Sequence, residues 1–139
     1  MSILSAADPP PAAEVKTWVL DTPGELKLLR ASLYKALTGR DFPRDAQLDD
    51  VPEKLVLVAT ELATNALRHG LPPTIVRLGR AGDCFILDVA DHEPQTTPEY
   101  AQDRGAGEGG LGLFLARELA LDIGWYVVDG TKHVWAQFK

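Results

Sequence analysis

The sequence has little of several features that mark particular classes of protein. It contains one cysteine, Cys84, so an internal disulfide is excluded, which suits a reducing cytoplasm. Cys84 lies in a strand-like run and is expected to be a small core residue. No apolar stretch approaches the roughly 20 residues of a membrane span, and the first residues lack the basic and apolar regions of a signal peptide. These absences favour a cytoplasmic protein without a membrane partner.

Basic side chains are also scarce. The 139 residues include 14 Lys and Arg against 20 Asp and Glu, which gives a net charge of -6, and no run of basic residues occurs. Binding to a phosphate backbone would need a local basic patch, so no direct nucleic acid partner is expected. A hydrophobic content of 45% and this length are typical of one globular domain with a substantial core.

Proline is concentrated near the amino terminus. Residues 1–13 contain Pro9, Pro10 and Pro11 among small side chains, and we expect them to form a flexible tail because they are too small and proline-rich to pack. Residues 14–139 are expected to form a single domain.

Periodicity and turn signals predict the elements of that domain. Helices are expected after Thr22-Pro-Gly-Glu25, which has the form of a capping box, after Asp50 and after Gly112. Strands are expected over 15–20, 74–79, 84–90, 123–128 and 133–138. This order lacks the strict strand-helix alternation of a doubly wound sheet. We therefore expect an α+β two-layer sandwich, with three helices on one face of a mixed, mostly antiparallel sheet.

The central helix carries one polar face. Glu61, Asn65 and His69 follow each other at intervals of four residues, so they share a side of the helix. The opposite side is apolar and is expected to pack on the sheet; its residues are Leu55, Ala59, Leu62, Ala63, Ala66 and Leu67.

Two interpretations of this polar face are open. A solvated face is the usual fate of a helix's polar side, but such faces normally contain Lys, Glu and Gln. Thr60, Thr64 and Asn65 are poorer helix formers. A carboxylate that can act as a base, one turn from an amide oxygen that can bind a metal ion, is a plausible catalytic pair.

A glycine-rich segment, Gly105-Ala-Gly-Glu-Gly-Gly-Leu-Gly112, leads into the third helix. Such a loop can bind an anion through its backbone and the helix start, or it can be a hinge. Part of it matches G-x-G-x-x-G, with Asp129 downstream for a ribose contact. A long polar loop precedes it instead of a strand, so we reject a dinucleotide-binding fold. Asp91, after the third strand, is either an ordinary turn residue or a third border of a cleft with Glu61, Asn65 and the glycines.

These residues resemble a known superfamily. Glu61-x-x-x-Asn65-Ala-x-x-His69, then Asp91 after a strand, then Gly109-Gly-Leu-Gly-Leu-Phe114, are similar to the N, G1 and G2 boxes of the GHKL ATPases. That superfamily contains ATPases of gyrase, histidine-kinase and mismatch-repair type. The likeness is strongest to its stand-alone bacterial branch, the anti-sigma factor serine kinases and similar actinobacterial regulators.

The resemblance implies the Bergerat ATP-binding fold with ATP and Mg²⁺ as cofactors. It implies that Asn65 holds Mg²⁺, that Glu61 is the general base toward a serine or threonine hydroxyl, and that Asp91 accepts from the adenine amine. It further implies nucleotide-binding roles for a second set of residues, which are His69, Gly109, Gly110, Leu111 and Gly112. Residues 92–108 would form a lid. The implied partners are a sigma factor and an anti-sigma antagonist, and a homodimer is implied by the family alone.

The chain departs from the family pattern at two places. The G1 box of the family reads D-x-G-x-G, whereas Asp91-His-Glu-Pro-Gln95 has no glycine. Several of these kinases carry a basic residue just before the G2 glycines, where this chain has Gly107-Glu108, and Arg104 is the nearest cation. Arg104 is either a phosphate contact or a surface residue.

Three functional hypotheses follow. The leading one is an ATP-binding anti-sigma regulator that phosphorylates its antagonist on Ser or Thr and sequesters a sigma factor, which makes it a protein kinase. The alternative is a non-catalytic interaction module with a degenerate nucleotide site, which the altered G1 box supports. The catalytic half of a histidine kinase is disfavoured, because no dimerisation helix pair with a phosphoacceptor histidine is recognisable.

Overall fold

The computed structural model describes residues 6–39, 51–69, 71–92 and 111–139. Within these ranges the α-helices are α1 (Leu26–Thr38), α2 (Val51–His69) and α3 (Leu111–Leu119), and a short 3-10 turn, Pro23–Glu25, precedes α1. The strands are β1 (Ala13–Leu20), β2 (Thr74–Ala81), β3 (Cys84–Asp91), β4 (Asp122–Val128) and β5 (Thr131–Phe138).

The five strands form one sheet in the order β1-β2-β3-β5-β4. Each neighbouring pair is antiparallel, and a parallel bridge joins Ala6 to Trp125. The β4-β5 hairpin turns at Asp129 and Gly130, whose φ angles are 51° and 79°; Gly, Asn and Asp tolerate such angles best. The α+β fold with three helices against one antiparallel sheet is confirmed.

The helices share one core with one face of the sheet. The apolar side of α2 is buried as its periodicity predicts, since Leu55, Ala59, Leu62 and Ala63 are at most 3% exposed. Alternate residues of the strands face this side, for example Leu87 and Val89 of β3. The next residue of that row is Asp91, so β3 carries a carboxylate toward the helix layer at its last position.

The helix ends follow the local sequence signals. The Glu25 carboxylate accepts hydrogen bonds from the backbone N–H groups of Asp21 and Thr22 (3.0 and 3.1 Å), which lower the pKa of Glu25. Gly39 ends α1 with a φ of 74°. At the second predicted cap, Asp50 lies outside the described residues, and Glu53 accepts a hydrogen bond from the Tyr34 hydroxyl.

The other face of the sheet carries a buried polar network that the sequence patterns do not reveal. The Asp88 carboxylate accepts hydrogen bonds from the Tyr126 hydroxyl (2.6 Å) and from His133 Nδ1 (2.8 Å). The Tyr126 and His133 rings stack with centroids 4.5 Å apart. Burial, and then the hydrogen bond to Asp88, raise the pKa of the Tyr126 hydroxyl well above its usual value. Tyr126 therefore remains a donor across the physiological pH range.

Part of the predicted tail lies on this same face. The Ala7 N–H donates to the Trp125 carbonyl (2.9 Å), and Trp135 Nε1 donates to the Ala7 carbonyl (2.8 Å). Pro9 and Pro10 are half-buried and help line a cavity of about 310 Å³ next to Arg77 and Asp88. Residues 6–12 thus contact the sheet, which differs from the expectation of a segment that cannot pack. The domain boundary at residue 14 remains a prediction.

Within the described ranges, no helix combines the length and the apolar character that a membrane span requires.

Candidate active site

The polar face of α2 is partly exposed to solvent. Glu61 and Asn65 are both half-buried. The two threonines beside them are satisfied within the helix, because Thr60 Oγ1 donates to the Val56 carbonyl (2.7 Å) and Thr64 Oγ1 to the Thr60 carbonyl (2.6 Å). These back-bonds explain why threonine is tolerated in mid-helix. On this face, Glu61 is the candidate general base and Asn65 is the candidate metal ligand.

Asp91 is the last residue of β3 and is 5% exposed. Its position inside the strand differs by one residue from the expectation that it lies just past the strand end. Its Oδ2 is 3.8 Å from Lys132 Nζ on β5, and the two residues are register partners across the sheet. Asp91 is therefore a buried carboxylate with a cation beside it, and not a solvated turn residue.

The chain path brings the end of α2 close to Asp91, at the end of the central strand β3. After α2 ends at His69, the chain begins β2 at Thr74, and the Ile75-Ala90 pair sets the start of β2 beside the end of β3. His92 follows Asp91 and donates its backbone N–H to the Leu71 carbonyl (3.0 Å). The second half of α2, with Glu61 and Asn65, therefore leads toward Asp91.

Helix α3 ends close to the carboxyl-terminal part of β5. After α3 ends at Leu119, the Leu121 N–H donates to the Gln137 carbonyl (2.7 Å). Gln137 lies about 17 Å along β5 from Lys132 at the usual rise per residue. Leu111 and Gly112 lie in the first turn of α3, and their proximity to Asp91 remains a prediction. A helix N-terminus can bind an anion.

Several predicted site residues cannot be placed further. Arg104, Gly109 and Gly110 lie outside the described residues, as does most of the predicted lid. His69 is the last residue of α2, but its side chain is not among those described. The roles of all these residues remain predictions.

Two residues close to Asp91 were not predicted from the sequence. Lys132 has a side chain only 12% exposed, and Thr74 is 0% exposed with no hydrogen-bond partner for Oγ1 among the described residues. A signal for Lys132 was present: alternation from Val134 and Ala136 through the β5 register places its side chain toward the helices. A lysine on a core-facing row is unusual unless it is paired.

The donor set at the candidate site indicates which metal could fit. In the part of the chain that the structure describes, no group of three or more His, Cys, Asp or Glu side chains could hold a metal ion. Transition-metal sites need such a set. Mg²⁺ is bound differently, through one or two protein oxygens together with phosphates and water, so the Asn65 amide oxygen is compatible with it.

Comparisons with known proteins agree with the fold. The crystal structure of the RsbU and RsbW domains of Rv1364c from Mycobacterium tuberculosis superposes with a TM-score of 0.60 at 17% sequence identity. The match covers 89% of this chain and 32% of that chain, so this chain spans about a third of the length of the protein it matches. At this identity the likeness shows a shared fold. No curated protein matches in sequence.

The sequence itself matches the family model described as the histidine kinase-like ATPase domain over residues 21–138. This range contains α1 to α3, all of β2 to β5, and every residue assigned here to the candidate site. The protein is therefore a member of the histidine kinase-like ATPase family, the GHKL superfamily.

Proposed function

We propose that the protein is an ATP-binding regulator of the anti-sigma type. It transfers a phosphoryl group from ATP to a serine or threonine of an anti-sigma antagonist, and it sequesters a sigma factor. The observation that carries the proposal is the buried carboxylate of Asp91 at the end of β3, close to the end of the helix that carries Glu61 and Asn65. Family membership supports ATP as the nucleotide, and the RsbW-containing structural neighbour supports this branch of the family.

Asp91 gives the pocket its preference for adenine in this proposal. A carboxylate accepts hydrogen bonds and cannot donate them when ionised, so it pairs with the exocyclic amine of adenine. Lys132 lies beside it, and its positive charge attracts the carboxylate. Burial of both groups excludes water, which strengthens a charge-assisted hydrogen bond.

Asn65 is proposed to hold Mg²⁺, which when bound would neutralise phosphate charge. Glu61, one turn earlier on α2, is proposed to accept the proton of the attacking hydroxyl. Phosphoryl transfer depends mainly on positioning and charge stabilisation, and a stable helix that fixes both side chains suits this need. Gly109, Gly110 and Gly112 would allow close approach to the phosphates.

The alternative is an interaction module that has lost catalysis. The ion pair between Asp91 and Lys132 favours it, because a carboxylate satisfied by an internal cation needs no ligand. The altered G1 segment points the same way, since His92 is held by the carbonyls of Leu71 and Pro73 (3.0 and 3.2 Å). Both proposals place the protein in the cytoplasm with protein partners, and a homodimer is compatible with either.

Replacing Asn65 with alanine tests the metal assignment. In wild type we expect Mg²⁺ to tighten ADP binding at least ten-fold, as titration calorimetry with and without EDTA would measure. Asn65→Ala removes the proposed metal ligand, so the gain from Mg²⁺ should fall below two-fold while metal-free affinity stays the same. Thr64→Ala, one residue away and bonded within the helix, should behave as wild type. An undiminished Mg²⁺ effect in Asn65→Ala would contradict the assignment.

A further inference from the structure

Three polar side chains lie at neighbouring positions on the adjacent strands β2, β3 and β5, beside the candidate site. Asp91 of β3 and Lys132 of β5 are register partners. Thr74 of β2 precedes Ile75, whose partner is Ala90. Thr74 therefore lies opposite Asp91, on the strand that flanks β3 on the side away from β5. We name Thr74, Asp91 and Lys132 the base-edge cluster.

The cluster is buried on the helix-facing side of the sheet. Thr74 is 0% exposed and Asp91 5%, and the Lys132 side chain is 12% exposed. Burial of a lysine is costly, because a charged amine loses its hydration. A Nζ to Oδ2 distance of 3.8 Å is about 1 Å longer than a charge-assisted hydrogen bond. The pair thus sets a cation beside a carboxylate on the core-facing side of the sheet.

The third member adds an independent observation. Thr74 Oγ1 is fully buried and makes no hydrogen bond to any described residue. Unsatisfied hydroxyls are rare in folded proteins. The three side chains together offer an acceptor, a donor and a hydroxyl that can do either. This is the pattern that the polar edge of a purine requires.

We propose that Lys132 is a specificity-determining residue of the nucleotide pocket, whose ammonium group donates a hydrogen bond to the ring nitrogen N1 of adenine. Asp91 accepts from the amine on the neighbouring carbon, so acceptor and donor in the protein match donor and acceptor in the base. The inference rests on the proposed function, because it concerns the same site. It goes further by assigning the second polar contact of the base to a lysine on β5.

The test pairs one atom of the ligand with one side chain of the protein. ADP and 1-deaza-ADP, in which a C–H group replaces N1, are titrated by calorimetry into wild type and Lys132→Met. Methionine keeps the apolar stem and removes the charge. We expect wild type to bind the analogue at least ten-fold more weakly than ADP, and Lys132→Met to bind both within two-fold. The same penalty in both proteins would overturn the assignment, because it would show no coupling between N1 and Lys132.

Lys139 supplies a matched control. Its Nζ is also 3.8 Å from an aspartate oxygen, that of Asp83, but its side chain is 67% exposed and it follows β5 at the far end of the sheet. Lys139→Met should keep the full ten-fold discrimination, and its loss there would also overturn the assignment. If Lys132→Met does not fold, Lys132→Gln retains a donor without the charge, and it should keep at least half of the discrimination.

The remaining outcomes separate this inference from the proposed function. If wild type binds neither nucleotide, both fail. If ADP binds and Asp91→Asn weakens it while Lys132→Met does not change discrimination, the proposed function stands and the inference fails. If GDP binds more tightly than ADP, the cluster reads the O6 and N1–H of guanine, and the adenine contact assigned to Lys132 is overturned.

Discussion

Glu61→Gln is expected to reduce phosphoryl transfer at least a hundred-fold and to leave nucleotide affinity within about two-fold of wild type. Glutamine has nearly the same shape as glutamate but cannot accept a proton at neutral pH, and removal of a general base typically costs about 10²- to 10⁴-fold in rate. Glu61 is only half-buried, so the substitution does not disturb the core. Radiolabelled transfer from ATP to purified candidate antagonist proteins measures the rate, and calorimetry measures the affinity.

Glu118→Gln is the control for this experiment. Glu118 is exposed on α3, so its substitution changes the net charge equally without touching α2. Transfer by Glu118→Gln should equal that of wild type. If Glu61→Gln retained more than a third of the wild-type rate, or lost nucleotide affinity in parallel with transfer, Glu61 would not be the base.

Asp88→Ala is expected to lower the free energy of unfolding by about 3 kcal/mol, the upper range for losing a buried hydrogen bond to a charged group. The alanine leaves the Tyr126 hydroxyl and the His133 N–H, bonded at 2.6 and 2.8 Å in wild type, without their acceptor. Asp88 is 8% exposed, so water cannot readily replace it. Urea denaturation monitored by tryptophan fluorescence measures the change.

Asp88→Asn is the matched control, since its amide can accept from Tyr126 and donate to His133 in the other tautomer. We expect it to cost about 1 kcal/mol or less. Because Asp88 faces away from the helix layer, ADP affinity should be unchanged in both variants at a temperature where they are folded. A cost below about 0.5 kcal/mol for Asp88→Ala, the range typical of surface substitutions, would show that the network contributes little.

The sequence patterns predict the elements well where hydrophobic period and turn chemistry agree. The buried side of α2 and the strands expected over 84–90 and 123–128 are found as expected. Local rules suffice at these positions, because each residue's preference coincides with its place in the fold. The fold class could therefore be predicted from the sequence alone.

The contacts on the outer face of the sheet could not be predicted from local sequence patterns. Asp88, Tyr126 and His133 come from three strands, and their contact depends on the β3-β5 and β4-β5 registers, which no local pattern sets. The packing of Ala7 against Trp125 and Trp135 is likewise a long-range contact. Composition alone suggested a tail that does not pack, because it cannot show which surface is available to cover.

The candidate site falls between these cases. Spacing on α2 identifies Glu61 and Asn65 as neighbours, and resemblance to a family singles out Asp91. The closeness of the end of α2 to Asp91 follows only from the chain path, in which the His92 N–H donates to the Leu71 carbonyl. The sequence does not single out Lys132, because a lysine in a strand is common. Its position beside Asp91 depends on the β3-β5 register.

Titration of ADP with Mg²⁺ into wild type and Asp91→Asn shows whether the protein binds adenine nucleotide through Asp91. Asparagine fills the same volume, but its amide presents a donor where the carboxylate presents only acceptors. We expect wild type to bind ADP with micromolar affinity and Asp91→Asn to bind at least ten-fold more weakly, with both proteins compared at a temperature where they are folded. Absence of ADP binding by wild type at millimolar concentration, or equal binding by the two proteins, would contradict this expectation.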